Sequence, residues 1–238
     1  IINEINKKKF IIVSFLEGKW KSKTNNNDCF KLGECIAEMH NKTKDFNQVR
    51  KNSLSIKGWE KLIISCKSKI TKKQLNLFGS DLINEIEDSF ELCKKNWPSN
   101  LPIGLIHGDI FPDNVFFNKN KVSGVIDFYF SCTEIIVYEL AIAINAWCFD
   151  KNDIFYPKKA SNLISGYNSK RTLSNAEFDN LSILSQGAAL RFLLTRLYDW
   201  FNTPKEILIT KKNPTEYLNK LRFFKNNVLL NQINLKNI

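Results

Sequence analysis

The 238-residue sequence predicts an α+β fold, mostly helical, with one small β-hairpin near its middle. Three observations carry this. Apolar residues recur at helical spacing along most of the chain. Two short β-rich runs, Val115-Phe116-Phe117 and Val122 to Ile126, flank the turn-rich Asn118-Lys119-Asn120-Lys121, as in a hairpin. A hydrophobic content of 43% is enough to bury a sizeable core in one large domain or two small ones.

In chain order, Phe10 to Leu16 is a β-rich run closed by Glu17-Gly18, followed by a polar crossing segment from Lys19 to Asn27. Leu32, Ile36 and Met39 then recur at helical spacing, with Gly33, Ala37 and His40 on a neighbouring face. Asp28 to His40 is therefore expected as a helix whose small residues allow close packing. From Ser80, an N-cap candidate, the stripe Leu82, Ile86, Phe90, Cys93, Trp97 predicts another helix, stopped by Pro98. Leu105-Ile106 reads as the end of a strand leading into the hairpin region. Ile135 to Trp147 is apolar nearly all round, the mark of a buried helix. Ser161 to Tyr167, Ala176 to Leu184, Gly187 to Phe201 and Pro214 to Phe224 continue the helical pattern.

Between the strand and the hairpin lies His107-Gly108-Asp109-Ile110-Phe111-Pro112-Asp113-Asn114, and the returning strand ends in Asp127. Singly, an Asp or Asn in a turn is a common Asx-type turn former, and Asp127 could cap a helix. As an ordered set they match a phosphoryl-transfer loop, in which one Asp receives a hydroxyl proton while an Asn and a second Asp hold magnesium. Asp109 is the candidate base, and Asn114 and Asp127 are the candidate metal ligands. Hard oxygen donors suit Mg2+, which keeps several waters and shares the nucleotide phosphates. His107 is assigned loop support and His40 a packing or hydrogen-bonding role.

Composition excludes several classes. The net charge is +11, yet the lysines are spread along the chain with no basic stripe interleaved with aromatics, so nucleic acid is not an expected partner. Six cysteines form no Cys-x-x-Cys pair and no zinc spacing, which predicts reduced thiols in a cytoplasmic protein. No run of eighteen apolar residues occurs, so no membrane partner is expected. The chain begins Ile1-Ile2-Asn3-Glu4 without a signal-peptide pattern, and its sole Met is Met39. It reads as a piece of a longer protein.

A helical body with a catalytic hairpin has the form of the large C-terminal lobe of a two-lobed, protein-kinase-like fold. Residues 1–18 would be the last strand of the small lobe and the hinge, and 19–238 the large lobe. The loop and Ile126-Asp127-Phe128 resemble the aminoglycoside phosphotransferase-like kinase superfamily. Phe111 to Phe117, Ser123 to Phe130, Leu140 to Phe149 and Gly187 to Trp200 further resemble the bacterial homoserine kinases built on that fold. The resemblance implies transfer of the ATP γ-phosphoryl group to the hydroxyl of L-homoserine, a step toward threonine. Asp109 would be the base, Asn114 and Asp127 the Mg2+ ligands, and the backbone of Ser14, Phe15 and Leu16 the hinge that meets adenine. Two positions depart from the family pattern: Gly108 where Ala is frequent, and Glu139 where Asp is usual.

For the carboxylate of such a substrate, Arg191 and Arg196 are candidates, because a guanidinium fork can grip it bidentately. Arg196 could instead pair with Asp199, three positions on. Tyr129 is a candidate pocket wall. The small lobe's nucleotide-covering loop and phosphate-binding lysine find no match before Phe10, so the isolated chain is expected to be weak or inactive. The alternatives are a sibling kinase acting on choline, an aminoglycoside or a methylthio sugar, and an inactive nucleotide-binding fragment. Oligomeric state is left open.

Overall fold

The computed structural model describes residues 2–204, 211–226 and 229–233. At the N-terminus β1 (Ile2–Ile5) and β2 (Lys8–Ile11) pair antiparallel across Asn6 and Lys7. Both turn residues have positive φ, 51° and 62°, the left-handed pair that a two-residue hairpin turn requires. The strand expected over Phe10 to Leu16 ends at Ile11. Residues 12–17 run on without a strand partner among the described residues, and Ile12, Val13 and Phe15 are exposed. They are tied down at their C-terminal end instead. Leu16 lies against Gly124, Ser123 Oγ donates to the Glu17 carbonyl at 2.6 Å, and Lys19 exchanges two backbone hydrogen bonds with Phe117.

Helix α1 (Asn26–Lys42) is longer than the sequence pattern predicts, because a capping box between Asn25 and Asp28 starts it early. Asp28 is buried and also receives the Lys21 ammonium at 2.5 Å. Helices α2 (Ile56–Lys69) and α3 (Lys72–Phe78) follow, neither of which the sequence reading picked out. Helix α4 (Leu82–Asn96) has Asp81, not Ser80, at its N-cap, without a side-chain cap bond. Strand β3 (Ile103–Ile106) leads through a single 3-10 turn at Pro112–Asn114 into the hairpin of β4 (Val115–Asn118) and β5 (Lys121–Val125). Strand β6 (Cys132–Ile135) returns antiparallel to β3, pairing Ile103 with Ile135 and Ile106 with Cys132. The helix expected from Ile135 thus begins later, as α5 (Tyr138–Trp147), since Ile135 itself pairs with Ile103 of β3.

Beyond it come α6 (Pro157–Asn168), the short α7 (Asn175–Asp179), the long α8 (Leu181–Asn202), α9 (Thr215–Asn226) and α10 (Leu229–Gln232). The single pattern read over Ala176 to Leu184 splits at Asn180. Helix α8 is the axis of the fold: α2, α4, α5 and α9 all pack on it. Helices α1 and α6 cross glycine to glycine. A Cβ on Gly33 would come within 2.1 Å of the Leu163 carbonyl, and one on Gly166 within 2.0 Å of the Phe30 carbonyl. No helix among the described residues is long and apolar enough to cross a membrane. All six cysteines are free, and only Cys35 is less than fully buried.

Candidate active site

The loop between β3 and β4 is held from beneath by a carboxylate. Glu139, fully buried in the first turn of α5, accepts hydrogen bonds from the His107 and Gly108 backbone N–H groups. Burial pushes its carboxyl above the usual range, against the pull of His107 and of those two N–H donors. The Gly108 carbonyl receives Arg191 Nη1 at 2.6 Å from α8, and the Ile110 carbonyl receives Trp147 Nε1 at 2.7 Å from α5. Three helical side chains therefore fix three successive parts of one loop. Gly108 takes a left-handed φ of 78°, and a Cβ there would come within 2.8 Å of the Phe130 carbonyl, so glycine suits both the backbone and the space.

Within the loop, both ring nitrogens of His107 are engaged. Its Nε2 meets the Ile126 carbonyl at 2.8 Å, its Nδ1 accepts the Asp109 N–H at 3.2 Å, and its ring lies edge-on to Phe128. Asn114 spends its amide nitrogen on the Asp109 backbone carbonyl (2.8 Å) and carboxylate (3.3 Å), which leaves the amide oxygen for another ligand. Its backbone carbonyl accepts the Ile126 N–H at 3.0 Å. That bond brings the end of β5, and with it Asp127, to the loop. Asp127 has left-handed φ and ψ of 63° and 61°, is exposed, and has no ion-pair partner among the described residues.

Asp109 sits at the centre. Burial raises its carboxyl pKa, Arg191 and Lys212 oppose that rise, and Asp127 and Asp113 add to it. A carboxyl moved up toward neutrality is better suited to take a proton from an alcohol than an ordinary surface Asp. The donor set of Asn114 and Asp127, one amide oxygen and one carboxylate, fits Mg2+ completed by water and phosphate rather than an all-protein cage.

The other sequence candidates fall at varied distances from this centre. Ser14 and Phe15 are exposed, and Leu16 lies against Gly124 of β5, the strand that ends two residues before Asp127. Tyr129 is 71% exposed and its carbonyl accepts Arg50 Nη1 at 2.6 Å. Arg191 is buried between the rings of Phe130 and Phe192. Arg196 pairs neither with Asp199 nor with the loop: its Nη1 meets Glu216 at 2.5 Å and the Asn213 carbonyl at 3.0 Å. Sequence reasoning noticed Glu139 only as a departure from a pattern. Its signal was present, since a carboxylate in an apolar helix must find donors. Lys212 gave no signal among 35 basic residues.

The sequence profile of the phosphotransferase enzyme family matches residues 1–170. Curated relatives described as homoserine kinases include that of Paramagnetospirillum magneticum, 44% identical over 218 residues, covering 89% of this chain and 65% of the relative. That of Rhizobium johnstonii is 44% identical over 212 residues, with 89% and 64% covered, and that of Brucella anthropi is 42% identical over 222 residues, with 93% and 67% covered. The chain thus spans about two thirds of the length of these relatives. Among solved structures, a Plasmodium vivax ethanolamine kinase superposes with a TM-score of 0.61 at 17% identity, over 92% of this chain and 65% of that one. A spectinomycin phosphotransferase bound to ADP and spectinomycin gives 0.60 at 17%, over 97% and 72%. At that identity they show a shared fold.

Proposed function

From the premise that this chain belongs to the phosphotransferase enzyme family, we propose that it is the acceptor-binding and catalytic lobe of a homoserine kinase. The protein would transfer the ATP γ-phosphoryl group to the side-chain hydroxyl of L-homoserine, giving O-phospho-L-homoserine in threonine biosynthesis in the cytoplasm. The observation that carries the reading is Asp109, hydrogen-bonded by the Asn114 amide and within electrostatic reach of Asp127, Arg191 and Lys212. Identity of 41–44% to curated homoserine kinases supports the acceptor assignment.

Asp109 orients the acceptor hydroxyl and takes its proton as the oxygen attacks phosphorus. Asn114 and Asp127 would hold Mg2+, which when bound neutralises charge on the phosphoryl oxygens. The backbone of residues 14–16 would meet adenine, with residues 1–18 serving as the last strand of a small lobe and the hinge. Glu139, Arg191 and Trp147 keep the loop from reorganising, so positioning and preset electrostatics supply the rate. Arg191 also adds positive potential beside Asp109, which would favour an acceptor carrying a carboxylate. A cationic acceptor such as choline or an aminoglycoside meets that potential unfavourably.

The test is ADP release by the full gene product with Mg-ATP and, separately, L-homoserine, choline and kanamycin. Selective turnover of homoserine is expected. Selective turnover of choline or kanamycin would overturn the acceptor while keeping the fold.

A further inference from the structure

Arg191 and Lys212 are the cations that act on Asp109, Arg196 and Lys211 hold the segment that carries Lys212, and of these four three are already spent. Arg191 is 4% exposed and gives Nη1 to the Gly108 carbonyl. Arg196 is 8% exposed and divides Nη1 between Glu216 and the Asn213 carbonyl. Lys211 donates to the Trp200 and Thr203 carbonyls at 3.1 and 2.7 Å, tying its segment to the end of α8. Lys212, the next residue, is exposed, and its ammonium has no ion-pair partner among the described residues.

Its ammonium lies over the ring of Phe111, 5.2 Å from the centroid. Phe111 is two residues from Asp109 and donates its N–H to the Asp109 carbonyl at 2.8 Å. The same ring packs on Phe192 of α8 and Tyr217 of α9, so Lys212 approaches Asp109 from the α8 and α9 side. The metal ligand Asp127 instead follows β5, the strand that packs beside α1. A cation so placed faces the acceptor rather than the nucleotide.

Resting on the homoserine kinase reading, we propose that Lys212 is the residue that directly contacts the acceptor's α-carboxylate, and that Arg196 is a positioning residue for it. The Arg196 bond to the Asn213 carbonyl, together with Lys211, fixes the short segment carrying Lys212. Asn213 Oδ1 then accepts the Thr215 N–H at 2.9 Å and starts α9. The apparent substrate arginine thus acts through its neighbour: it holds the chain so that a flexible point charge, and not a fork, reaches the substrate.

The experiment measures phosphotransfer by the full gene product and its Lys212→Ala variant, with L-homoserine and with homoserinol, in which a hydroxymethyl group replaces the carboxylate. The wild-type enzyme should prefer homoserine. Lys212→Ala should raise KM for homoserine by roughly tenfold to a hundredfold, the range for one charged hydrogen bond, with little change in KM for ATP. The penalty should vanish with homoserinol. Arg196→Gln should raise KM for homoserine in the same selective way, and Lys212→Arg should restore part of the loss. If wild type phosphorylates homoserine but Lys212→Ala loses as much on homoserinol as on homoserine, or loses nothing, the assignment of Lys212 is overturned while the kinase reading stands. If wild type does not phosphorylate homoserine, the functional reading itself fails.

Discussion

Residues 105–139 and residues 2–17 carry opposite kinds of structure. In the first, Glu139 bonds the His107 and Gly108 backbone, Arg191 and Trp147 from outside the region bond Gly108 and Ile110, and Glu139, His107 and Asn114 are buried. In the second, a two-stranded ribbon leads into a stretch where Ile12, Val13 and Phe15 stand 80%, 73% and 92% exposed. An isolated two-stranded hairpin is marginal in water, and such apolar exposure invites a covering surface. The loop proposed to activate the acceptor is thus braced by side chains of this chain, whereas residues 12–15 are exposed. The segment 12–17, proposed to meet adenine, is held among the described residues through Leu16 and Glu17, with Lys19 just beyond it.

The sharpest way to break this comparison is at Asp109. In the full gene product Asp109→Asn should lower kcat by roughly a hundredfold to ten-thousandfold, the span of a general base, while nucleotide binding measured by calorimetry is retained. Unchanged turnover would make the loop a scaffold. The next largest effect concerns the brace. Glu139→Leu strands two buried N–H groups and should cost about 2–4 kcal/mol of stability in a urea titration, with a parallel fall in kcat. A fully stable variant would show that the loop does not depend on its carboxylate.

Acid should loosen the helical body before the exposed ribbon matters. His40 is buried with Nδ1 against Tyr167 Oη at 2.9 Å, and burial lowers its pKa from 6.5 to about 3, with Arg171 adding to the effect. The unfolded chain therefore binds the proton more tightly than the folded one. Stability is lost as pH falls below 6.5 and the loss is complete near 3. Replacing His40 with Phe should flatten that part of a pH–stability curve, and an unaltered slope would count against it. The smallest structural effect is expected at Phe15. Its removal to Ala should leave stability within about 0.5 kcal/mol, yet raise KM for ATP in the full gene product if this segment meets adenine. No change in KM would detach it from the nucleotide.

Much of the well-braced region was legible because its signals are local. The β4–β5 turn, the spacing of Asp109 and Asn114, and the apolar run of α5 all lie within a few residues of their consequences. The small residues of α1 also told their role, since Gly33 meets α6 at a close crossing. What escaped depends on distant partners. Strand β6 went unread, and its last residue Ile135 was taken into the helix, because the pairing with β3 lies some thirty residues away in the chain; the lysine-rich α2 carried no motif. Arg196 looked like a substrate residue until Glu216, twenty positions on, took its charge. The extended run to Leu16 looked like strand by composition, but a strand needs a neighbour, and none pairs with residues 12–17 among the described residues.

The most direct measurement is ADP release from Mg-ATP and L-homoserine by these 238 residues alone, set against the same chain with its natural N-terminal region. Turnover is expected only when that region is present, with the shorter chain still binding homoserine through the half of the site that it contains. Equal turnover by both would contradict this expectation, because the nucleotide side would then need nothing beyond residues 2–17.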